Sequence, residues 1–259
     1  MKNKEILLSI RNISQEYKSN KNNFQALKEV SLDIYRGEFV CVLGASGCGK
    51  SSLLNIIAGF NRATEGEIYF QGKKITGITE GISVVFQQPN LYEWLNVEDN
   101  VNFALRMQNL DKEEVKKRTE EILKEVGLAG LQNKYIYDLS GGMKQRLGIA
   151  RALINNPELI LMDEPFSALD AITKTQMQNF THNLWLEKKN TVFFITHDID
   201  EALRLATKIV VMSPSPGRII KSENIDLSDN FSYEDNNPQF NYSSEYIRLK
   251  NEILQAIVN

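Results

Sequence analysis

The chain has little of what marks secreted, membrane-spanning or nucleic-acid-binding proteins. Its 259 residues include two cysteines, Cys41 and Cys48. They lie close together and offer no disulfide framework, which points to a reducing compartment. No apolar run approaches the roughly 18 residues needed to cross a bilayer. The opening MKNKEILLSI is charged and lacks the apolar core of a signal peptide. There is no basic surplus: 30 Lys and Arg stand against 33 Asp and Glu, for a formal charge of -3. That removes the electrostatic case for nucleic acid as the main partner. No internal repeat or low-complexity tract is present. The expectation is a soluble chain that can still sit on a membrane-bound partner.

Hydrophobic residues make up 42% of the chain, enough for a real core. The length suits one large domain, or a domain with an inserted subdomain. Short apolar runs bounded by turns recur at 7–10 (LLSI), 39–44 (FVCVLG), 82–87 (ISVVFQ), 159–164 (LILMDE), 191–197 (TVFFITH) and 209–213 (IVVMS). Runs without alternation read as strands buried on both faces, and amphipathic stretches between them predict a largely parallel α/β sheet. Residues 29–35 and 66–70 alternate and predict antiparallel strands with one wet face. From Val97 to Leu153 there is no strand-like run. Val115, Ile122, Leu123 and Val126 form an apolar stripe and Gly127 is a helix stop, so a helical subdomain over about 89–157 is predicted. Residues 226–259 read as a polar loop over 226–242 and a terminal helix carrying Tyr246, Leu249, Ile253 and Ile257 on one face. The main domain then spans 1–225.

GASGCGKS at 44–51 matches G-x-x-x-x-G-K-[ST], the P-loop pattern, and it follows a strand and opens a helix. Glycines let backbone N–H groups curl around a triphosphate. Lys50 would reach the β- and γ-phosphates, and the Ser51 hydroxyl would hold Mg²⁺. Gly44, Ala45, Ser46, Gly47, Cys48, Gly49 and Ser52 are assigned to the same nucleotide, Cys48 through its backbone. LILMDEPF ends an apolar strand in two carboxylates. Asp163 is assigned to the metal, and Glu164 is the base or water-polarising group. His197, ending TVFFITH, is assigned to the γ-phosphate. Gln87, ending ISVVFQ, is assigned to metal or attacking water. His182 lies in a polar helical stretch and is expected at the surface.

LSGGMKQR at 139–146 raises a separate question. A glycine turn opening a helix is an anion site, because free N–H groups and the helix dipole point the same way. Gly141 and Gly142 are read as that turn. Yet a phosphate loop is already present.

Together these residues resemble the ATP-binding subunit of ABC transporters over about residues 6–220. GASGCGKS resembles Walker A, LILMDEP Walker B, and LSGGMKQR the family signature, with Met143 where glutamine is commonest. Gln87 matches the Q-loop, SALD at 167–170 the D-loop, and His197 the switch histidine; Tyr17 stands where the family stacks an aromatic on adenine. The resemblance implies a P-loop NTPase with a largely parallel sheet core, an antiparallel β subdomain and an inserted helical subdomain. It implies ATP and Mg²⁺ as ligands. It also implies a homodimer in which Ser140, Gly141 and Gly142 of one subunit cover the nucleotide on the P-loop of the other, with Asp170 beside that site. Two permease subunits, an extracytoplasmic solute-binding protein acting indirectly, and a place on the cytoplasmic face of the membrane follow from the same resemblance. NLYEWLNVEDNV, LSGGMKQR and MSPSPGRI are similar to the nitrate, sulfonate and taurine import ATPases.

Within NLYEWL, Leu91, Tyr92, Trp94 and Leu95 have two readings: an exposed docking groove for the permease, towards which the resemblance tips the balance, or a small satellite core under the inserted helices. Two other classes stay open: a soluble ABC ATPase of translation or DNA metabolism, and a small-molecule P-loop kinase. The first usually fuses two halves or carries basic inserts, and the second needs no signature.

Overall fold

A computed structural model describes residues 5–18, 23–108, 110–225 and 244–258. In chain order its elements are β1 (Ile6–Lys18), β2 (Asn23–Tyr35), β3 (Phe39–Gly44), α1 (Lys50–Ile57), β4 (Glu65–Phe70), β5 (Lys73–Lys74), β6 (Ile82–Val85), α2 (Val97–Met107), α3 (Lys112–Glu125), α4 (Gly141–Leu153), β7 (Leu159–Asp163), α5 (Ala171–Lys188), β8 (Thr191–Ile195), α6 (Ile199–Leu205), β9 (Lys208–Met212), β10 (Ile219–Asn224) and α7 (Ser244–Val258). They fall into two compact units, Met1–Thr79 with Trp185–Asn259, and Glu80–Leu184. The architecture is that of an α/β P-loop NTPase, with parallel pairing joined by an antiparallel sheet and helices.

In the first unit β3 pairs parallel with β8 on one side and β9 on the other, and β10 closes antiparallel on β9. All residues of β3 and β8 are buried, as continuous apolar runs require. Each fully buried Val, Leu, Ile or Phe contributes about 1.5–3 kcal/mol. Cys41 belongs to this core. Burial, and then the Glu201 carboxylate, push its thiol pKa up, so it behaves as a small apolar residue.

A second sheet of the same unit has the order β2-β1-β4-β5 and is antiparallel throughout. The run LLSI at 7–10, expected as a strand of the parallel sheet, belongs here instead. It is the start of a strand in which Ser9 is half-buried and Arg11 exposed. Leu7, Leu8 and Ile10 are buried as a core strand's residues are, so this short run carries no sign of which sheet it joins.

In the second unit β6 and β7 pair parallel, Ile82 opposite Leu159. α2, α3 and α4 pack on one another. Asn96 caps α2 by accepting the Asp99 N–H at 2.7 Å, and Asp111 caps α3 by accepting those of Glu113 and Glu114. α3 stops at Gly127, whose φ of +69° suits the position after a helix end. It buries Val115, Thr119, Ile122 and Leu123.

His182 is not at the surface. It is fully buried on the α5 face that also carries Gln178 and Thr181, a stripe too polar to be read as a core face. The 226–242 loop expectation lies outside the described residues. α7 buries Tyr246, Leu249 and Ile253 as its pattern predicted, while Ile257, read on the same face, is half-buried. Among the described residues no helix is long and apolar enough to cross a membrane.

Candidate functional site

The P-loop leaves β3 at Gly44 and enters α1 through Gly49, which caps the helix in the left-handed region at φ +96°. No side chain fits at two of its glycines. A Cβ on Gly44 would stand 2.7 Å from Cys48 Sγ and 2.9 Å from the Met212 carbonyl oxygen. One on Gly49 would stand 2.7 Å from the Ala26 carbonyl oxygen. Lys50 is buried, and its Nζ donates to the carbonyls of Gly44 at 2.8 Å and Ala45 at 3.1 Å. The ammonium is thus anchored inside the loop, where cation and N–H groups gather on one cradle. Ser51 and Ser52 follow in the first turn of α1. The Tyr17 hydroxyl donates to Ser52 Oγ at 3.1 Å, which holds its ring, 40% exposed, near the start of that helix.

His197 is an exposed residue just past β8, in a tightly held segment. Thr196 Oγ1 donates to the buried Glu201 carboxylate and accepts the Asp198 N–H at 3.0 Å. Asp198 caps α6 by accepting the Glu201 N–H at 3.1 Å. α7 grips the same helix end: Tyr246 donates to Asp200, and Lys250 Nζ lies 2.6 Å from Asp200. Burial and then that hydrogen bond push the Tyr246 pKa up.

The other assigned residues belong to the second unit. Asp163 ends β7 and is half-buried. Glu164 follows at φ +44°, an uncommon conformation for a residue with a side chain, and such strain clusters at functional sites. Its carbonyl accepts both the N–H of Ser167, at 3.2 Å, and the Ser167 hydroxyl, at 2.9 Å. Gln87 is exposed, two residues past the end of β6. Asp170 serves as a cap: Oδ1 accepts from Ile172 and Thr173 N–H, and Oδ2 from Thr173 Oγ1 at 2.7 Å. The Thr173 hydroxyl first, then these N–H groups, hold its pKa down.

The signature is a helix start and not a separate glycine turn. Ser140 caps α4 by accepting the Met143 N–H at 3.3 Å, and Gly141 and Gly142 are its first residues. A Cβ on Gly142 would stand 2.8 Å from Thr173 Cγ2, whereas one on Gly141 would meet only Leu169 Cδ2 at 3.5 Å.

A model of the ABC transporter family matches residues 27–167. The chain belongs to that family. An uncharacterized ABC transporter ATP-binding protein of Methanocaldococcus jannaschii is 41% identical over 98% of this chain and 92% of its own. The taurine import ATP-binding protein TauB of Roseobacter denitrificans is 46% identical over 86% and 83%. An ATP-binding cassette solved as a dimer in a post-hydrolysis state, with ADP and Pi bound, aligns with TM-score 0.74 and 36% identity over 85% of this chain and 99% of that one. This ABC protein is an ATP-binding subunit and an ATPase.

Several supporting roles escaped sequence reading. Ser167 holds the strained Glu164 backbone. Asn100, 1% exposed, satisfies four backbone groups of the segment before α2: it accepts the Tyr92 N–H and donates to the carbonyls of Tyr92, Leu95 and Asn96. Arg151 donates to the Asn90 carbonyl at 2.8 Å and lies over the Tyr92 ring. These bonds divide NLYEWL between its two readings. Leu91, Tyr92 and Leu95 are half-buried, with Tyr92 against Phe103, and Trp94 alone of the four projects, 74% exposed.

Proposed function

We propose that the chain powers uptake of taurine or a related small sulfonate, as the ATPase of an importer on the cytoplasmic face of a membrane. The observation that carries this reading is that one chain presents two phosphate-facing helix starts: the P-loop into α1, and Ser140 into α4. A two-fold pair of chains would complete each P-loop with the partner's signature, Ser140, Gly141 and Gly142. The dimeric cassette among the solved structures supports that pairing, and the taurine import relatives support the solute class.

In this reading Lys50 and the N–H groups of Gly44–Ser51 bind the β- and γ-phosphates, with Ser52 beside them, and Tyr17 stacks on the base. Ser51 and Asp163 offer hard oxygen donors, the kind that Mg²⁺ takes, and Gln87 adds a carbonyl. When bound, the ion neutralises charge on the β- and γ-oxygens. Glu164 orients and deprotonates the attacking water, and His197 donates to the γ-phosphate. Asp170 fixes the α5 start beside the partner's site. ATP closes the pair, and product release reopens it. A cleft of about 190 Å³ lined by Tyr92, Asn100, Phe103 and Arg151, with Trp94 projecting from the same segment, would receive the permease. A solute-binding protein would deliver the solute to that permease from the far side.

The test is reconstitution in vesicles with the membrane protein that co-purifies with the chain. ATP-dependent uptake of labelled taurine is expected, with competition by short alkanesulfonates and less by nitrate. Stable association with ribosomes or nucleic acid in place of membrane proteins would sink the reading.

A further inference from the structure

Beside the P-loop, the first unit holds a strap that the motif does not include: residues 213–218, SPSPGR, between β9 and β10. Ser213 closes it, with Oγ donating to the Pro216 carbonyl at 3.1 Å and accepting the Arg218 N–H at 3.1 Å. Ser215 Oγ donates to the Gly47 carbonyl at 3.0 Å. Gly217 donates its N–H to the Ala26 carbonyl at 2.9 Å and accepts the Lys28 N–H at 3.0 Å, so the strap is also fastened to β2. A Cβ on Gly217 would stand 2.0 Å from the Cys48 carbonyl oxygen. The Ala26 carbonyl that binds Gly217 is the one that leaves no room for a Cβ on Gly49. Strap, β2 and phosphate loop therefore meet backbone to backbone.

The peptide between Gly47 and Cys48 is pinned from both sides. Its carbonyl accepts from Ser215, and its N–H donates to the Ala45 carbonyl at 3.3 Å. Carbonyl and N–H point in opposite directions across a trans peptide, so gripping one aims the other.

We propose that the 213–218 strap sets the shape of the phosphate cradle, with Ser215 and Gly217 as positioning residues for ATP. It lowers the ordering that ATP must impose on the loop, which is the general source of affinity from preorganisation. This rests on the P-loop being the ATP site. Neither residue touches the nucleotide; they act through the Gly47–Cys48 backbone.

The test is calorimetric titration of the full chain with a non-hydrolysable ATP analogue, beside the melting midpoint without nucleotide. Ser215→Ala should weaken binding about three- to tenfold, the span of one hydrogen bond. Its nucleotide-free melt should stay at the wild-type midpoint, because Ser215 is exposed. Ser215→Thr, which keeps the hydroxyl, should restore affinity. Gly217→Ala should lose more affinity and also lower the melt, so the Ser215 pair decides. Wild-type affinity in Ser215→Ala, failure of threonine to rescue, or a melt that falls in step with affinity would each overturn the proposal. Lys50→Ala separates the two layers. If it binds the analogue normally, the P-loop assignment falls and the strap proposal with it. If it loses binding while Ser215→Ala does not, the strap proposal alone fails.

Discussion

The two phosphate-facing helix starts are built differently. At the P-loop, Gly44 and Gly49 are glycines because backbone atoms of the same unit stand where a Cβ would go, and Gly49 adds a left-handed φ. At the signature, Gly142 is crowded by Thr173 of its own unit, but Gly141 is exposed, has no positive φ and would meet a single side-chain atom at ordinary contact distance. The chain's own packing explains the first set of glycines and leaves Gly141 unexplained. A small residue that its own fold does not require suits close approach from outside, which is the role of the signature in the proposed composite site. In the proposed site, one phosphate cradle is made within the chain and the other is offered to a second copy.

The largest effect tests the chemistry that both sites serve. Glu164→Gln should lower ATP hydrolysis about 10²-fold or more while ATP affinity persists, since positioned bases contribute on that scale. Phosphate release and equilibrium binding measure the two, and hydrolysis at the wild-type rate removes Glu164 from the reaction. Next comes the contrast itself. Lys50→Ala should cost the isolated subunit its ATP binding. Ser140→Arg should leave that binding close to wild type and block ATP-dependent dimerisation, read by light scattering. Equal loss of monomer binding in both variants would break the composite-site model.

A smaller effect separates the glycines. Gly49→Ala forces a side chain to φ +96° and should cost about 1–3 kcal/mol in urea unfolding. Gly141→Ala, in a helical first turn, should stay within about 0.5 kcal/mol. Comparable losses at both positions would mean that Gly141 is structural after all. The smallest effect on the isolated chain is expected for Trp94→Ala, within about 0.5 kcal/mol of wild-type stability because the ring is exposed. Assembly with the permease, or coupling of hydrolysis to transport, should weaken. An unfolded mutant would place Trp94 in a core, and normal transport would remove it from the interface.

Motif residues could be assigned from the sequence because the proposed chemistry lies in short contiguous strings. GASGCGKS must be contiguous to wrap a phosphate, and LILMDE to bring a carboxylate to a strand end. What failed was burial judged from local polarity. His182 sits among polar neighbours yet lies on a buried helix face. A separate miss was the sheet: Leu7, Leu8 and Ile10 are buried as expected, but LLSI belongs to the antiparallel sheet. The docking reading put Leu91 and Leu95 in the open and the core reading buried them; Asn100 and Arg151 fold that loop down. Those bonds join residues with no periodic relation, so no pattern announces them.

The sequence by itself determined the strand-and-helix class, through local periodicity, and the family with its nucleotide, through motif strings that resemble that family's. Tertiary structure alone decided which carbonyl stands over Gly49, that Ser215 and Gly217 brace the phosphate loop from far along the chain, and that Gly141 is left open. The first two depend on which backbone atoms approach within a few ångströms once the 213–218 segment lies between β2 and the loop after β3, and the third on what packs around α4. Steric exclusion acts through space and leaves no mark on the order of residues.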